Sequence, residues 1–362
     1  MRERWAIGTM TGTSLDALDI ALVRATGAGL EMRVGVEDHA THDLGDLRPR
    51  LRAACDGVPM RAVDFAALAR DFGDLHAEAA RSIAADRTIE VAAIHGQTVF
   101  HAPPVSWQLV NPWPLAQALG CAVASDLRGA DLALGGQGAP ITPLADWVLL
   151  RHPDPTAVVN LGGFCNITWL PAEVRGHDGV RGADICPCNH LLDAAARATL
   201  GQPFDRDGTG ALAGRTDEAS RADLRTLLAK ASAAGRSLGT GDEAVAWVTA
   251  HADRLEPGVL LATVADAIGS HIGATAGASA RRVVLAGGGA RNRAVCAAIA
   301  RAAAPAVVLP STELGLPLEA RESAEMAVLG LLAMDGVAVT LPAVTRRRPG
   351  RTRDGVWCLP SR

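Results

Sequence analysis

The feature that most constrains this chain is a strand–polar loop–strand pattern that occurs twice. It begins at Trp5-Ala6-Ile7, runs through the small polar stretch Gly8–Asp19, and resumes at Ile20-Ala21-Leu22-Val23. It returns as Ala157-Val158-Val159, the turn Asn160-Leu161-Gly162-Gly163-Phe164-Cys165-Asn166, and Ile167-Thr168-Trp169-Leu170. Short apolar runs on either side of a small polar segment read as hairpins. The first loop offers the hydroxyls of Thr11, Thr13 and Ser14 and the carboxylates of Asp16 and Asp19. Gly8 and Gly12 lack a Cβ, so backbone N–H groups there can come close to a bound group. Successive N–H groups in such a turn make a nest for anions, and the carboxylates are hard oxygen donors suited to Mg²⁺. The recurrence predicts two related lobes facing each other, each with one phosphate-binding hairpin.

Between and after the hairpins the pattern is α/β. Glu31–His39 reads as a third strand and Val63–Ala85 as a helix with apolar residues at helical spacing. Val91–Ile94 is a short buried strand that runs into His95–His101. Ligands of open α/β sheets bind at the carboxyl ends of strands, which makes Gln97 and Thr98 ligand candidates. His95 and His101 read equally well as structural hydrogen-bonding groups. Asp126, Arg128 and Asp131, ahead of the glycine-rich Gly135–Pro140, suit sugar hydroxyls or a metal shell, or else brace a loop. Pro112–Ala118 and Pro143–His152 read as helices, the second linking the lobes. Asp184 is expected in a tight turn before the helix Leu191–Leu200, and the acidic loop Phe204–Gly210 reads mainly as turn chemistry. Val283–Ala286 is a strand entering Gly287-Gly288-Gly289, against which a flat ring or a phosphate can lie. Glu322 opens the helix Glu322–Leu332. Arg346-Arg347-Arg348 reads as a solvated basic surface, and Val356–Leu359 as a closing strand.

Composition removes several alternatives. Lys230 is the only lysine, and no Gly-Lys-Ser/Thr triplet exists, so a Walker-type loop is excluded. Phosphate must be held by backbone, hydroxyls, arginine and metal. A net charge of −4 makes no electrostatic case for nucleic acid or membrane. Seven scattered cysteines without a secretory leader predict reduced thiols in the cytoplasm. Cys186-x-Cys188 lacks the ligand pairs of structural zinc, and no apolar run is expected to approach the roughly 20 residues of a membrane span.

Several blocks, in this order, carry a resemblance. They are Met10–Asp16 with Asp19, His95-Gly96-Gln97-Thr98 with His101, and Asp126-Leu127-Arg128 with Asp131 and Gly135–Pro140. Asn160-Leu161-Gly162-Gly163 with Asn166, Phe204-Asp205 with Gly208, Gly287–Gly289 with Asn292, and Glu322 complete the set. Together they resemble the anhydro-N-acetylmuramic acid kinases of bacterial cell-wall recycling, members of the actin-like, sugar-kinase and Hsp70-type ATPase superfamily. The resemblance spans nearly the whole chain. It implies an α/β, two-lobed actin-like ATPase (ribonuclease H-like) fold with a nucleotide cleft between the lobes. Residues 1–143 would form the first lobe, with 341–362 returning to it, and 144–340 the second. It also implies ATP and Mg²⁺ as cofactors, an anhydro sugar as substrate, a homodimer, and no nucleic acid or membrane partner.

The implied reaction uses ATP and water to convert the anhydro sugar into its 6-phosphate, with Asp184 as general base. ATP phosphates would lie on Gly12, Thr13, Ser14, Leu15, Asp16, Ala17, Leu18 and Asp19, and on Asn160, Gly162 and Gly163. The nucleoside would lie near Gly287, Gly288, Gly289 and Asn292, and Mg²⁺ on Asp16 and Asp19. Gln97, Thr98, Asp126, Arg128, Asp131 and Glu322 would face sugar or metal.

Three departures from the family pattern stand out. The family's Asp-Thr-Gly-Pro-Gly-Asn reads Asp184-Ile185-Cys186-Pro187-Cys188-Asn189, and a cysteine in place of a left-handed glycine would strain the turn. The family's Asp-Gly in the first loop is Asp16-Ala17. Its Lys-Ser-Thr-Gly-Arg-Glu reads Ser232-Ala233-Ala234-Gly235-Arg236-Ser237. These departures define two alternatives to the active kinase: a nucleotide-binding pseudokinase or sensor, and a kinase for another sugar.

Overall fold

In the computed structural model, which describes residues 2–12, 14–233, 242–350 and 354–360, the chain forms two units. One is Met1–Leu150 with Gly315–Arg362, and the other is Arg151–Leu314. The segment that returns to the first unit therefore starts at 315 rather than 341, and the first stretch runs to 150 rather than 143.

The first unit opens with β1 (Glu3–Met10), β2 (Leu18–Thr26) and β3 (Arg33–His42), then α1 (Leu47–Cys55) and α2 (Ala62–Ala84). Next come β4 (Val91–Ile94), β5 (Gln97–Ala102), β6 (Val105–Leu109), α3 (Trp113–Leu119), β7 (Ala122–Ser125), α4 (Gly129–Ala133) and α5 (Pro143–Leu150). In the second unit, β8 (Thr156–Leu161), β9 (Phe164–Leu170) and β10 (Arg181–Pro187) precede α6 (Asn189–Leu200), α7 (Thr209–Ala213), α8 (Glu218–Ala233), α9 (Asp242–Ala252) and α10 (Pro257–Gly277). It ends with β11 (Arg282–Ala286), α11 (Arg293–Ala303) and β12 (Val307–Pro310). The chain then supplies α12 (Arg321–Met334), α13 (Pro342–Thr345) and β13 (Val356–Cys358) to the first unit.

The two main sheets share one scheme. In the first unit the order is β13-β7-β4-β1-β2-β3, and in the second it is β10-β9-β8-β11-β12. In each, three consecutive strands form an antiparallel meander. The first strand of the meander then pairs in parallel with the next sheet strand, which pairs in parallel with the one after it. This is the ribonuclease H-like order expected of an actin-like ATPase.

Local sequence explains the elements that frame the site. In α2, Leu68, Phe72, Ala79 and Ile83 recur at helical spacing and are buried. Strands β4 and β8 are fully buried, as parallel central strands are; β4 is apolar throughout, and β8 is apolar apart from Thr156 and Asn160 near its two ends. Gly8 lies inside β1, where a Cβ would overlap the Ser323 carbonyl oxygen and the Ala327 backbone of α12. It therefore serves close strand–helix packing, which corrects the expectation that it opens backbone to a bound group.

The membrane expectation is also corrected. α10 is long and apolar enough to cross a membrane by length and composition. It is nevertheless a core helix: Leu260, Leu261, Val264, Ile268 and Ile272 are buried in the second unit's core.

Candidate active site

The first hairpin leaves β1 at Met10 and re-enters the sheet at Leu18, with Met10 opposite Asp19. Leu15 and Leu18 are fully buried in the core, so only their backbone can meet a ligand. Leu15 sits at φ +58° and its N–H donates to the Gly12 carbonyl at 3.1 Å, closing a tight turn. A left-handed leucine is costly, and here the buried side chain pins it. Ser14 and Asp16 are exposed, and Ala17 is half-buried. Thr13 lies outside the described residues. The Thr9 and Thr11 hydroxyls are buried without a hydrogen-bond partner, as expected of a cradle completed by a ligand.

Asp19 is the electrostatic focus of this loop. Its carboxylate accepts from the Thr41 hydroxyl at 2.7 Å. Burial pushes its pKa above the ordinary carboxylate value, the Thr41 bond opposes this, and the charges of Glu322, Glu319 and Asp16 push it further up. The charges of Asp16, Glu319 and Glu322 are thus all felt at Asp19. Among the described residues no group of three or more His, Cys, Asp or Glu side chains is placed to hold a metal by itself. Mg²⁺ needs only one or two carboxylates plus substrate phosphates. Asp16 and Asp19, crowded by further anions, fit that donor set.

Gln97 and Thr98 open β5, which pairs with β6 in a separate two-stranded ribbon. Gln97 is buried, its amide donates to Cys55 Sγ at 3.5 Å and to the Thr98 carbonyl at 3.3 Å, and its Oε1 has no partner. Thr98 is half-buried and accepts from Gln108 at 3.4 Å.

Asp126 and Arg128 sit at the end of β7. Asp126, at φ +46°, accepts the Gly129 N–H at 3.0 Å, and burial raises its pKa. Arg128 donates to the Gly138 carbonyl at 2.6 Å and to His95 Nε2 at 2.8 Å. His95 in turn donates from Nδ1 to the Gly96 carbonyl at 2.8 Å. Burial pushes His95 down to about 3 and Arg128 down to about 10. His95 is therefore a neutral structural link between the Gln97 strand and the Arg128 loop.

Asp131 requires a correction. It is fully buried, and its oxygens accept from the Gly138 N–H at 2.7 Å and the Thr345 hydroxyl at 2.6 Å. It braces the glycine-rich loop and does not face a ligand. Arg347 is buried beside it, 3.6 Å from its carboxylate, and donates to the Thr340 carbonyl at 3.1 Å. The expected solvated basic surface is thus, at Arg347, an internal anchor for the returning segment.

In the second unit the Gly162-Gly163 turn joins β8 to β9, and its carbonyls receive the first N–H groups of α6. Cys188 and His190 donate to the Gly163 oxygen at 2.9 and 3.2 Å, and Asn189 donates to Gly162 at 3.0 Å. Asn160 is buried at the end of β8. Gly287 and Gly289 close against it: a Cβ at Gly287 would overlap the Asn160 side chain and the Leu161 carbonyl, and one at Gly289 the Asn189 side chain. Only Gly288 of the three is exposed, with open space where a Cβ would be. Asn292 is a helix cap: its Oδ1 accepts from Ala294 at 3.1 Å and Val295 at 3.2 Å at the start of α11. Asp205 does the same for Gly210 and Ala211 at 2.8 and 2.9 Å, as turn chemistry predicts.

Asp184 lies in β10, opposite Asn166 of β9, rather than in a tight turn. It is exposed, and a bulge between Asp184 and Cys186 lets the strand turn from open to buried residues.

The reading from sequence missed Arg48 and Arg52. Arg52 donates to the Ser14 carbonyl and Arg48 to the Asp16 carbonyl, each at 2.6 Å. Their i, i+4 spacing puts them on one helix face, but nothing local says that this face meets the first loop.

A family model described as anhydro-N-acetylmuramic acid kinase matches residues 4–352. The chain belongs to that family. Curated relatives of the same name agree over nearly their whole length. The one from Acidiphilium cryptum is 37% identical, covering 94% of each chain. That from Gloeobacter violaceus is 35% identical, over 94% of this chain and 95% of the relative. That from Salinibacter ruber is 32% identical, over 95% and 93%.

Family membership sharpens the departures near Asp184. Neither Cys186 nor Cys188 has a positive φ; Cys188 is at −124°. The strain of a left-handed cysteine therefore does not arise at either position, and both side chains are buried in the core. Cys186 pairs with Cys165 across the β10–β9 ladder, and all three thiols are fully buried. Burial raises the pKa of each, which keeps them protonated and inert. All seven cysteines are free. The divergent Gly235-Arg236 segment lies outside the described residues.

Proposed function

We infer that the chain is an ATP-dependent kinase that hydrolytically opens the 1,6-anhydro ring of anhydro-N-acetylmuramic acid and yields N-acetylmuramic acid 6-phosphate, a step of peptidoglycan recycling. The observation that carries this is the family match over residues 4–352. The site chemistry supports it.

Asp184, an exposed carboxylate on β10, takes the proton from the water that attacks the anomeric carbon, a role that requires hydrogen-bond reach in the bound state. The bond from that carbon to the bridging oxygen breaks, and the freed oxygen takes the γ-phosphoryl group. The backbone of Gly12–Asp19 and of the Asn160–Gly163 turn binds phosphate oxygens, with no lysine required. Exposed Gly288 offers its bare backbone to the nucleoside. Gln97, Thr98, Asp126 and Glu322 meet the sugar or the metal, while Arg128 and Asp131 hold their loops in place. Asp16 and Asp19 would hold Mg²⁺, which would supply charge neutralisation for the transferred phosphoryl group. Use of ATP and seven free cysteines support a cytoplasmic setting.

The decisive experiment incubates the protein with the anhydro sugar, ATP and Mg²⁺ in ¹⁸O-labelled water. The expected product is the 6-phosphate with label at the anomeric hydroxyl and one ADP per turnover. Phosphorylation without label would remove the hydrolytic step, and ATP binding without any product would favour the pseudokinase. Cys186 and Cys188 lie outside the left-handed region, which removes one of the two observations behind that second reading; the other, the divergent Gly235-Arg236 segment, lies outside the described residues.

A further inference from the structure

We propose that helix α1 is a positioning element that ties the phosphate loop to the sugar-side strand. Its inward residues, Leu51 and Ala54, are buried in the first unit's core, so the helix is fixed. A second face carries Arg48, Arg52 and Cys55, at spacings of four and three residues. Arg52 Nη2 donates to the Ser14 carbonyl at 2.6 Å, and Arg48 Nη2 donates to the Asp16 carbonyl at 2.6 Å and to Asp43 at 3.1 Å. Carbonyl oxygens facing an anion would repel it. The two guanidinium groups engage these two, and a planar, permanently charged donor is suited to that work. At the other end of this face Cys55 Sγ donates to the Thr98 carbonyl at 3.5 Å and accepts from the Gln97 amide at 3.5 Å. One rigid helix therefore touches both the loop assigned to ATP and the strand assigned to the sugar. A ligand that moves Gln97 or Thr98 is felt at Ser14 and Asp16 through α1. The inference rests on the kinase reading for the identity of the two ligands.

The test measures ATP affinity with and without the anhydro sugar, together with thermal unfolding, for the full chain. Arg48→Gln and Arg52→Gln are expected to weaken ATP binding by about tenfold each, the size of one charged hydrogen bond, with KM for ATP rising more than kcat falls. Arg52→Lys, which keeps a cationic donor, falls between wild type and Arg52→Gln. Arg50→Gln is the control: Arg50 is on the same helix but pairs with Asp71 at 2.8 Å, and its loss leaves ATP affinity unchanged. In the wild type the sugar tightens ATP binding, and Cys55→Val brings that ratio toward one. Wild-type ATP affinity in both Arg→Gln variants, or an unchanged ratio in Cys55→Val, overturns the proposal. A wild-type protein that binds ATP but phosphorylates no anhydro sugar refutes the kinase reading instead, and the ATP titrations of the arginine variants still decide the positioning role of α1.

Discussion

Arg321 Nη2 lies 2.8 and 2.9 Å from the two carboxylate oxygens of Asp146, inside the first unit. The same nitrogen is 2.8 Å from Glu325, and all three side chains are buried. Burial alone would lower the Arg321 pKa, but Asp146 and Glu325 more than offset it. Glu325 is pushed well up, by burial first, with Arg321 opposing and the Asp146 charge adding to the rise, which favours its neutral form. The cluster thus holds one cation and one anion. Removing one partner of a buried pair strands the other charge, so Arg321→Met should cost about 3–5 kcal/mol of stability. Glu325→Gln, which replaces a neutral acid by an amide, should stay within about 1 kcal/mol. Asp146→Leu added to Arg321→Met should recover most of the loss. Urea denaturation of the variants checks the order.

Asp184→Asn should lower kcat by about 10²–10⁴-fold, the usual worth of a general base, and leave ATP affinity unchanged. Coupled ADP release and nucleotide titration measure the two separately. Wild-type turnover would remove Asp184 from the chemistry.

Restoring the family's glycine by Cys186→Gly should not raise activity. Cys186 is fully buried and not left-handed, so glycine relieves nothing there. It loses a packed side chain and adds unfolded-state entropy, a cost of about 1–2 kcal/mol. A gain in turnover with no fall in the melting temperature would contradict this.

His76 predicts an acid sensitivity. It is buried against Phe72, neither ring nitrogen has a hydrogen-bond partner, and burial pushes its pKa from 6.5 to about 3. The unfolded chain therefore takes up the proton first. Stability is fully present above pH 6.5 and drains away as pH falls toward 3. His95, also depressed to about 3, acts in the same direction. His76→Leu should raise stability at pH 7 by about 1–3 kcal/mol, the cost of an orphaned buried polar group, and flatten the acid limb. Melting temperatures measured from pH 4 to pH 8 would test both effects.

Much of the fold was legible where periodicity is local. The predicted helix Val63–Ala85 is Ala62–Ala84, the strand at Val91–Ile94 has those limits, and the predicted helix Glu322–Leu332 lies within Arg321–Met334. Both hairpins form where two apolar runs flank small polar residues. The site was legible as a set of residues, but their roles were read less well. Asp131 looked like a ligand because a carboxylate beside glycines carries the same signature whether it binds substrate or braces a loop. Gly8, Gly287 and Gly289 looked like openings for a ligand, yet each is small so that another segment of the chain can lie against it.

By itself the sequence determined the two hairpins, the α/β alternation, the absence of a lysine-based phosphate loop and the family, because each of these is written in residues close together in the chain. Only the tertiary structure decided that Arg347 turns inward beside Asp131, that Arg48 and Arg52 hold the loop at Ser14 and Asp16, and that Asp184 stands on a bulged strand with its cysteine neighbours in the core. Those outcomes depend on which distant backbone groups need a donor and which side chains the packed core can enclose. That balance of burial and hydrogen bonding is set only once remote segments meet.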